Sequence, residues 1–426
     1  MHRTKTIEFE LPGSKSITQR ALITSALACG DSRLVSPLDS EDTRLLRNAL
    51  RAFGVKIDDT KETWHITGNN DRIFAPTDEI FMGNNGTGIR FMMSFAALAR
   101  GVTVLTGNKR MEERPAAPLL EALKQLGVKA ESIKGTGCPP VRIESSGLKG
   151  GEVTLSASIS SQFLSSLLLV APYASSPITV ALDGKLVSRP YVDVTLRVMS
   201  DFGIEVKEED HTFLIPRGSY HPKDYVVEAD ASSASYFFGA AAVTGSRIRI
   251  TNMPSKPIQG DAAFVDLLEK MGCVVDRSSR GTTVQGPGLG RLKAIEVDMS
   301  KWPDIVPTLA VVAAFAKGKT IITNVEHLRV KETDRITAVV NELNRLGCRA
   351  EELPDGLVVH GNGGALKGAV VRTYDDHRIA MCFAVASLLV PDIEFDDRDV
   401  VQKSFPKFWQ YWERLKQELD RTEHEK

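Results

Sequence analysis

The sequence predicts an α/β protein of two domains, each assembled from three copies of one α+β repeat. Two periodic features carry this reading: a helix-forming segment that returns every 72 residues, and a large apolar residue followed by Gly that recurs between its copies. The length of 426 residues is the third, because single cores stop growing near about 250–300 residues and longer chains divide.

The first feature is six segments, Ser16–Cys29, Gly88–Arg100, Ser160–Val170, Ser232–Val243, Asp304–Lys317 and Asp376–Leu389, each a polar loop running into an Ala/Leu/Phe-rich helix. Their first residues, 16, 88, 160, 232, 304 and 376, lie 72 apart, the mark of repeated supersecondary units. A β-branched strand follows each: Val102–Leu105, Ile178–Ala181, Arg247–Ile250, Thr320–Thr323, Asp392–Phe395 and a weaker Arg33–Val35. The second feature is Phe53-Gly54, Leu126-Gly127, Phe202-Gly203, Met271-Gly272 and Leu346-Gly347, each ending an amphipathic helix. Gly suits the left-handed residue that closes a helix, and a strand is expected to start at the next position. The last unit is truncated, closing with a helix over Phe405–Leu415 and a charged tail, Arg421–Lys426, expected to fray.

Composition excludes several classes. Hydrophobic residues at 42% and charged residues at 25% describe an ordinary globular protein. A formal charge of −1 supplies no overall field for nucleic acid or an acidic membrane. Cys29, Cys138, Cys273, Cys348 and Cys382 are scattered, with no CxxC pair, which argues against a disulfide framework or a zinc site. The strand-like Ile7–Leu11 follows the N-terminus with no apolar signal core, and apolar stretches such as Leu309–Ala316 fall short of the ~20 residues that span a bilayer. A cytoplasmic protein is expected, with no metal and no cofactor.

A duplicated scaffold without chemistry is one reading of the repeat. The loops that start the helices favour another. They run Pro12-Gly13-Ser14-Lys15-Ser16 with Arg20 one turn on, Gly83-Asn84-Asn85-Gly86-Thr87-Gly88-Ile89-Arg90, Ser160-Ser161-Gln162, Trp302-Pro303-Asp304 and Asp375-Asp376-His377-Arg378. Helix N-termini already favour anions, and these loops add cations. Singly they are weak. Lys15 follows Ser14 rather than Gly, so the Walker pattern fails, and Phe91 breaks a GxGxxG run. Ser160 and Ser161 are ordinary helix caps on their own, and His377 an ordinary buried histidine. Arg329-Val330-Lys331-Glu332-Thr333-Asp334-Arg335 is sharper: the apolar residues after it repeat at helical spacing, which sets Lys331 and Arg335 a turn apart at a helix start. Cations there oppose the helix dipole, an arrangement that suits an anion site better than stability.

On these loops, with Arg110-Met111…Glu113-Arg114-Pro115, Val187-Ser188-Arg189-Pro190-Tyr191, Asp230-Ala231-Ser232-Ser233-Ala234-Ser235-Tyr236 and Lys403-Ser404-Phe405-Pro406, the sequence resembles the 5-enolpyruvylshikimate-3-phosphate synthases along nearly its whole length. Three positions depart from the family pattern: His327 stands for a usual Asn, and Asn85 and Phe91 for a common Ala and Pro or Leu. The resemblance implies a two-domain inside-out α/β barrel of the enolpyruvyl transferases, with three βαβαββ-type repeats per domain. It implies a discontinuous domain of residues 1–13 plus 230–426, a second of residues 14–229, and an active site in a cleft that closes on substrate. The first strand would then belong with the C-terminal half.

The implied reaction moves the enolpyruvyl group of phosphoenolpyruvate to the 5-hydroxyl of shikimate 3-phosphate by addition and elimination, within chorismate and aromatic amino-acid biosynthesis. By the same resemblance, Ser160, Ser161 and Ser188 hold the shikimate phosphate. Lys15, Ser16, Arg20, Tyr191, Asp304, His327 and Lys331 hold the rest of that substrate, and Gln162 touches both. Lys15, Arg110, Arg335, Arg378 and Lys403, with the Gly86 backbone, hold phosphoenolpyruvate. Asp304 is the candidate base, Glu332 the candidate acid and Lys15 a charge stabiliser or proton carrier. A monomer inhibited by glyphosate is expected. The nearest rival is a transferase acting on a UDP-amino sugar; its usual reactive cysteine is missing from the loop at Arg110–Pro115.

Overall fold

A computed structural model describes residues 5–69 and 72–424. The chain divides into two compact units, Gly13–Val227 on one hand and Met1–Pro12 with Glu228–Lys426 on the other.

The five aromatic-, Leu- or Met-Gly pairs close helices as the residue chemistry requires. The helices Glu41–Ala52, Ala117–Gln125, Arg189–Asp201, Phe264–Lys270 and Arg335–Arg345 each end just before such a pair. Gly54, Gly127, Gly203, Gly272 and Gly347 all have positive φ, between 84° and 104°. A side chain there would meet the following carbonyl, so only Gly takes the turn without cost. The strands Lys56–Asp58, Lys129–Ser132, Val274–Ser278, Lys207–Glu209 and Ala350–Leu353 follow within a few residues.

The helices that open the repeats are nearly unbroken runs of buried residues. Every position from Ile17 to Leu27 is buried in the Lys15–Leu27 helix, and every position of Val306–Ala314. A helix apolar all round belongs inside. In Gly151–Ser156 Val153 and Leu155 are buried while Gly151, Glu152 and Thr154 face water, the alternation of a sheet covered on one face. Helices within and sheets without is the inside-out arrangement. Gly239 permits part of it: a Cβ there would stand 3.2 Å from Val312 and 3.6 Å from Val385, on the two neighbouring helices.

Each complete sheet repeats one order. A short edge strand runs parallel to its neighbour, and two antiparallel strands follow, as in Ile80–Phe81, Arg100–Thr106, Val141–Ser146 and Lys129–Ser132. Two edge strands are exchanged. Thr6–Phe9 pairs in parallel with Arg247–Ile250, Thr6 against Arg247, inside the C-terminal unit. Asp224–Val226 pairs with Arg33–Val35 inside the other. The chain therefore crosses twice, between Pro12 and Gly13 and between Val227 and Glu228.

Some elements differ from expectation. Pro303 opens the fifth helix as a 3-10 turn, Pro303–Ile305, before Val306–Ala314 begins. The last strand shrinks to Glu394–Phe395. The closing helix is Phe408–His424, so the tail expected to fray continues it, while residues 425 and 426 lie outside the described residues. Phe408, Trp412 and Leu415 share one face and are fully buried, which anchors that helix on the core.

Candidate functional site

In the Gly13–Val227 unit the expected residues cluster at helix starts. Ser14 caps the first helix by accepting from the Ile17 amide at 3.4 Å. The next residue, Lys15, sends its Nζ to Asp42 Oδ2 at 2.9 Å, and Asp42 is itself buried. One turn on, Arg20 is buried and donates from Nε to Thr195 Oγ1 at 2.7 Å, from Nη1 to the Ser16 carbonyl at 2.8 Å, and from Nη2 to the Tyr191 carbonyl at 3.0 Å. Burial lowers this guanidinium to about 10, with Tyr191 acting weakly the other way, so it stays charged near neutrality. Arg20 thus ties Ser16 to Tyr191, two positions far apart in sequence.

Ser160 caps the Ser161–Val170 helix by accepting from the Gln162 amide at 3.3 Å. Gln162 Nε2 donates to Thr87 Oγ1 at 3.0 Å, and Gln162 Oε1 accepts from Arg90. Thr87 stands beside Gly86, the first residue of the Gly86–Ala96 helix, so two repeats meet here at equivalent positions. A methyl group on Gly86 would lie 2.3 Å from Arg114 Nη2; Arg114 donates to the Asn84 carbonyl at 2.9 Å. Asn85 caps this helix through the Gly88 amide at 2.8 Å and donates to the Asp42 carbonyl at 2.7 Å. Ser188, just before the Arg189–Asp201 helix, has φ 54° and ψ 41°. A non-glycine residue held there stores about 1–3 kcal/mol of strain, which marks functional loops more often than ordinary ones. Arg110 pairs with Glu113 at 2.8 Å on a half-exposed turn.

In the other unit a denser cluster forms from three repeats. Arg335, only 1% exposed, donates from Nε to Asp376 Oδ2 at 2.7 Å, from Nη2 to Glu332 Oε2 at 2.7 Å, and from Nη1 to Asp304 Oδ1 at 3.0 Å. The second oxygen of Asp304 accepts from Arg378 Nη2 at 2.7 Å, and Arg378 Nη1 reaches Tyr236 Oη at 3.4 Å. Asp376 also caps the His377–Ala386 helix, accepting from the Arg378 amide at 2.9 Å. Burial works against the charge of Arg335, but Asp376, Glu332 and Asp304 outweigh it and hold the guanidinium above its ordinary value. Burial likewise tends to raise Asp304, yet Arg378, Arg335 and Lys331 prevail and hold it well below the usual carboxylate range. Asp261, buried beside this group and accepting from Ser232, is pushed up to about 6 by burial and by the charge of Asp304.

Lys331 does not lie on a helix, contrary to expectation. Asp334 caps Arg335–Arg345, accepting from the Thr337 amide at 3.1 Å, so only Arg335 is helical and Lys331 occupies the preceding turn. The cap satisfies a free N–H, which offsets the cation placed against the dipole. His327 is buried in the 3-10 segment Glu326–Val330, and Lys403 is buried at the end of another, Asp399–Lys403, where its charge acts on Asp375. Sequence reasoning missed Asp42, Arg90, Asp376 and the contact of Arg114 with Gly86. Asp376 left a signal, an acidic residue at the cap of a periodic helix next to Arg378. The others left none, because their partners lie far away in sequence: Lys15 is 27 positions from Asp42 and Gln162 is 72 from Arg90.

Comparisons with known proteins bear on the family and the fold. The family model EPSP synthase (3-phosphoshikimate 1-carboxyvinyltransferase) matches residues 4–412. The 3-phosphoshikimate 1-carboxyvinyltransferase of Vibrio atlanticus (strain LGP32) is 42% identical over 415 residues, 96% of each chain. That of Sulfurovum sp. (strain NBC37-1) is 41% identical over 414 residues, again 96% of each. A solved EPSP synthase from Acinetobacter baumannii superposes with a TM-score of 0.80 at 27% identity, covering 96% of both chains.

Proposed function

Because the chain belongs to the EPSP synthase family and transfers the enolpyruvyl group of phosphoenolpyruvate to shikimate 3-phosphate in aromatic amino-acid biosynthesis, we propose that the two clusters above supply its substrate contacts and proton transfers. The observation that carries this reading is the Arg335–Asp304–Arg378 network. It sets two guanidinium groups, a candidate base and a candidate acid within hydrogen-bond distance of one another.

Ser160, Ser161 and Ser188 take the phosphate of shikimate 3-phosphate, with the strained turn at Ser188 aiming its hydroxyl. Lys15, Ser16, Tyr191, Asp304, His327 and Lys331 take its ring hydroxyls and surroundings. Arg20 has spent most of its N–H groups on the protein, so its part is chiefly to fix Ser16 and Tyr191. Arg335, Arg378, Lys15, Arg110 and Lys403, with the Gly86 amide, take the carboxylate and phosphate of phosphoenolpyruvate, and Gln162 borders both substrates. Arg suits this because its planar fork grips a carboxylate or phosphate with two parallel bonds.

In the addition step Glu332 gives a proton to the methylene carbon, while the 5-hydroxyl loses its proton to Asp304 and its oxygen bonds to the carbon bearing phosphate. In elimination a methyl proton returns to Glu332, the C–O bond to phosphate breaks and restores the double bond, and the proton held by Asp304 passes to the departing phosphate. Lys15 balances charge on the reacting oxygens. Glyphosate, an anion longer than phosphoenolpyruvate, competes for the same arginines. One chain carries every residue invoked, so the site needs no partner subunit and a monomer suffices.

The test is phosphate release with both substrates in wild type and in Arg378→Ala. The variant should raise the phosphoenolpyruvate KM by about tenfold or more, the cost of losing a charged two-point contact. An unchanged KM would remove Arg378 from the donor site. A dimer in sedimentation velocity would overturn the monomer.

A further inference from the structure

Arg335 can grip an anion by two of its edges. The Nε/Nη2 edge is held by Asp376, at 2.7 and 3.2 Å. The Nη1/Nη2 edge is held jointly by Asp304 at 3.0 Å and Glu332 at 2.7 Å. A guanidinium has no third edge with two parallel N–H groups. A carboxylate or phosphate that takes Arg335 by two parallel bonds must therefore replace one of these three carboxylates.

They are not equally replaceable. The Asp376 side chain is 0% exposed and also caps a helix, so moving it would orphan the Arg378 amide. Glu332, at 10%, accepts from Arg335 Nη2 at 2.7 Å. Asp304, at 19%, is the most exposed of the three and bridges Arg335 to Arg378 with one oxygen each. Shifting it opens both arginines at once.

We propose that Asp304 is an internal stand-in for the donor's anion: it occupies Arg335 and Arg378 until phosphoenolpyruvate displaces it, and the displacement is what frees it to act as the base. The inference rests on the site assignment proposed above and adds an order of events to it. While both arginines hold the carboxylate, it is a poor proton acceptor, because their charge favours the ionised form. Once they turn to the donor, that stabilisation is shared with a second anion, and Asp304 regains affinity for the proton of the 5-hydroxyl. The base is thereby switched on only when its reaction partner is in place. Asp304 also imposes a cost, since the donor must compete with a carboxylate already seated.

The experiment measures binding rather than turnover. Phosphoenolpyruvate is titrated by calorimetry into wild type and Asp304→Asn, each saturated with a shikimate 3-phosphate analogue that lacks the 5-hydroxyl, so that no turnover occurs. The asparagine keeps the shape, removes the charge and leaves the arginines uncommitted. It should bind phosphoenolpyruvate about tenfold more tightly while losing activity. Asp304→Ser, which also removes the charge, should tighten binding in the same way and serves if the asparagine variant does not fold. Arg378→Ala in the same titration reports on the site assignment itself. If that variant binds as wild type does, the assignment falls and the inference with it. If it binds weakly but neither neutral variant at position 304 tightens, the assignment stands and the stand-in role of Asp304 is wrong.

Discussion

A methyl group placed on Gly86 would sit 2.3–2.7 Å from three atoms of the Arg114 guanidinium. The space at Gly86, proposed above for the donor, is bounded by a buried side chain as well. Arg114 cannot simply swing away, since it holds the Asn84 carbonyl and side-chain oxygen at 2.9 and 3.0 Å. Gly86→Ala should therefore act through Arg114, at about 1–3 kcal/mol, the usual cost of overpacking. In a double-mutant cycle on the phosphoenolpyruvate KM, Gly86→Ala and Arg114→Ala should couple strongly. Additive effects would mean that the methyl group meets the ligand first. Asp261 gives a pH prediction at the same scale. Its folded-state carboxyl lies near 6 against an ordinary 3.8, because burial and the charge of Asp304 resist ionisation. A group raised in this way adds stability below its unfolded pKa and loses it as pH rises through the folded value. Asp261→Asn should thus gain in thermal midpoint over wild type at pH 8 and not at pH 4. An equal gain at both would show that the charge is not what matters. None of this was legible in the sequence. Arg114 meets Gly86 28 positions away and Asp261 feels Asp304 43 positions away, and no local pattern names a tertiary charge partner.

At the scale of elements the sequence was far more informative, for a reason that Gly54 illustrates. Its φ is +84°, and a Cβ would have only Asn69 Nδ2 near it, at 3.6 Å. There is room for a side chain but no comfortable backbone for one. Gly54→Ala should cost about 1–2 kcal/mol in urea unfolding. Gly54→Asn should cost less, because Asn tolerates the left-handed region by bonding locally. Equal losses would point to packing instead. Conformations that one residue type tolerates leave a local trace, which is why five helix ends could be found without a structure. The buried helices left theirs in unbroken apolar runs. The exchange of strands left nothing, although Ile7–Leu11 was strand-like by itself: Asp224–Val226 has three residues, and Leu11 bonds to Asn252, 241 positions away. Only the family resemblance placed the first strand with the C-terminal half.

That exchange makes a prediction about the whole molecule. The Gly13–Val227 unit is continuous in sequence, and it includes its own borrowed edge strand, Asp224–Val226. The other unit is not continuous, since Thr6–Phe9 completes its first sheet and brings Ile7, Phe9 and Leu11, all buried, into its core. Losing three such side chains costs several kcal/mol, each worth about 1.5–3, against a typical domain stability of about 5–15. Residues 13–227 expressed alone should therefore unfold cooperatively. Residues 228–426 alone should be much less stable or fail to fold. A chain running 1–12, a short Gly/Ser linker and 228–426 should recover, because the Asp230 amide already donates to the Pro12 carbonyl at 3.0 Å, so the linker closes a small gap at little entropic cost. Circular dichroism melts of the three chains decide the matter. Should 228–426 melt as sharply and as high as its linked counterpart, the first strand contributes little to that core, and the double crossing of the chain would have no energetic role in holding it together.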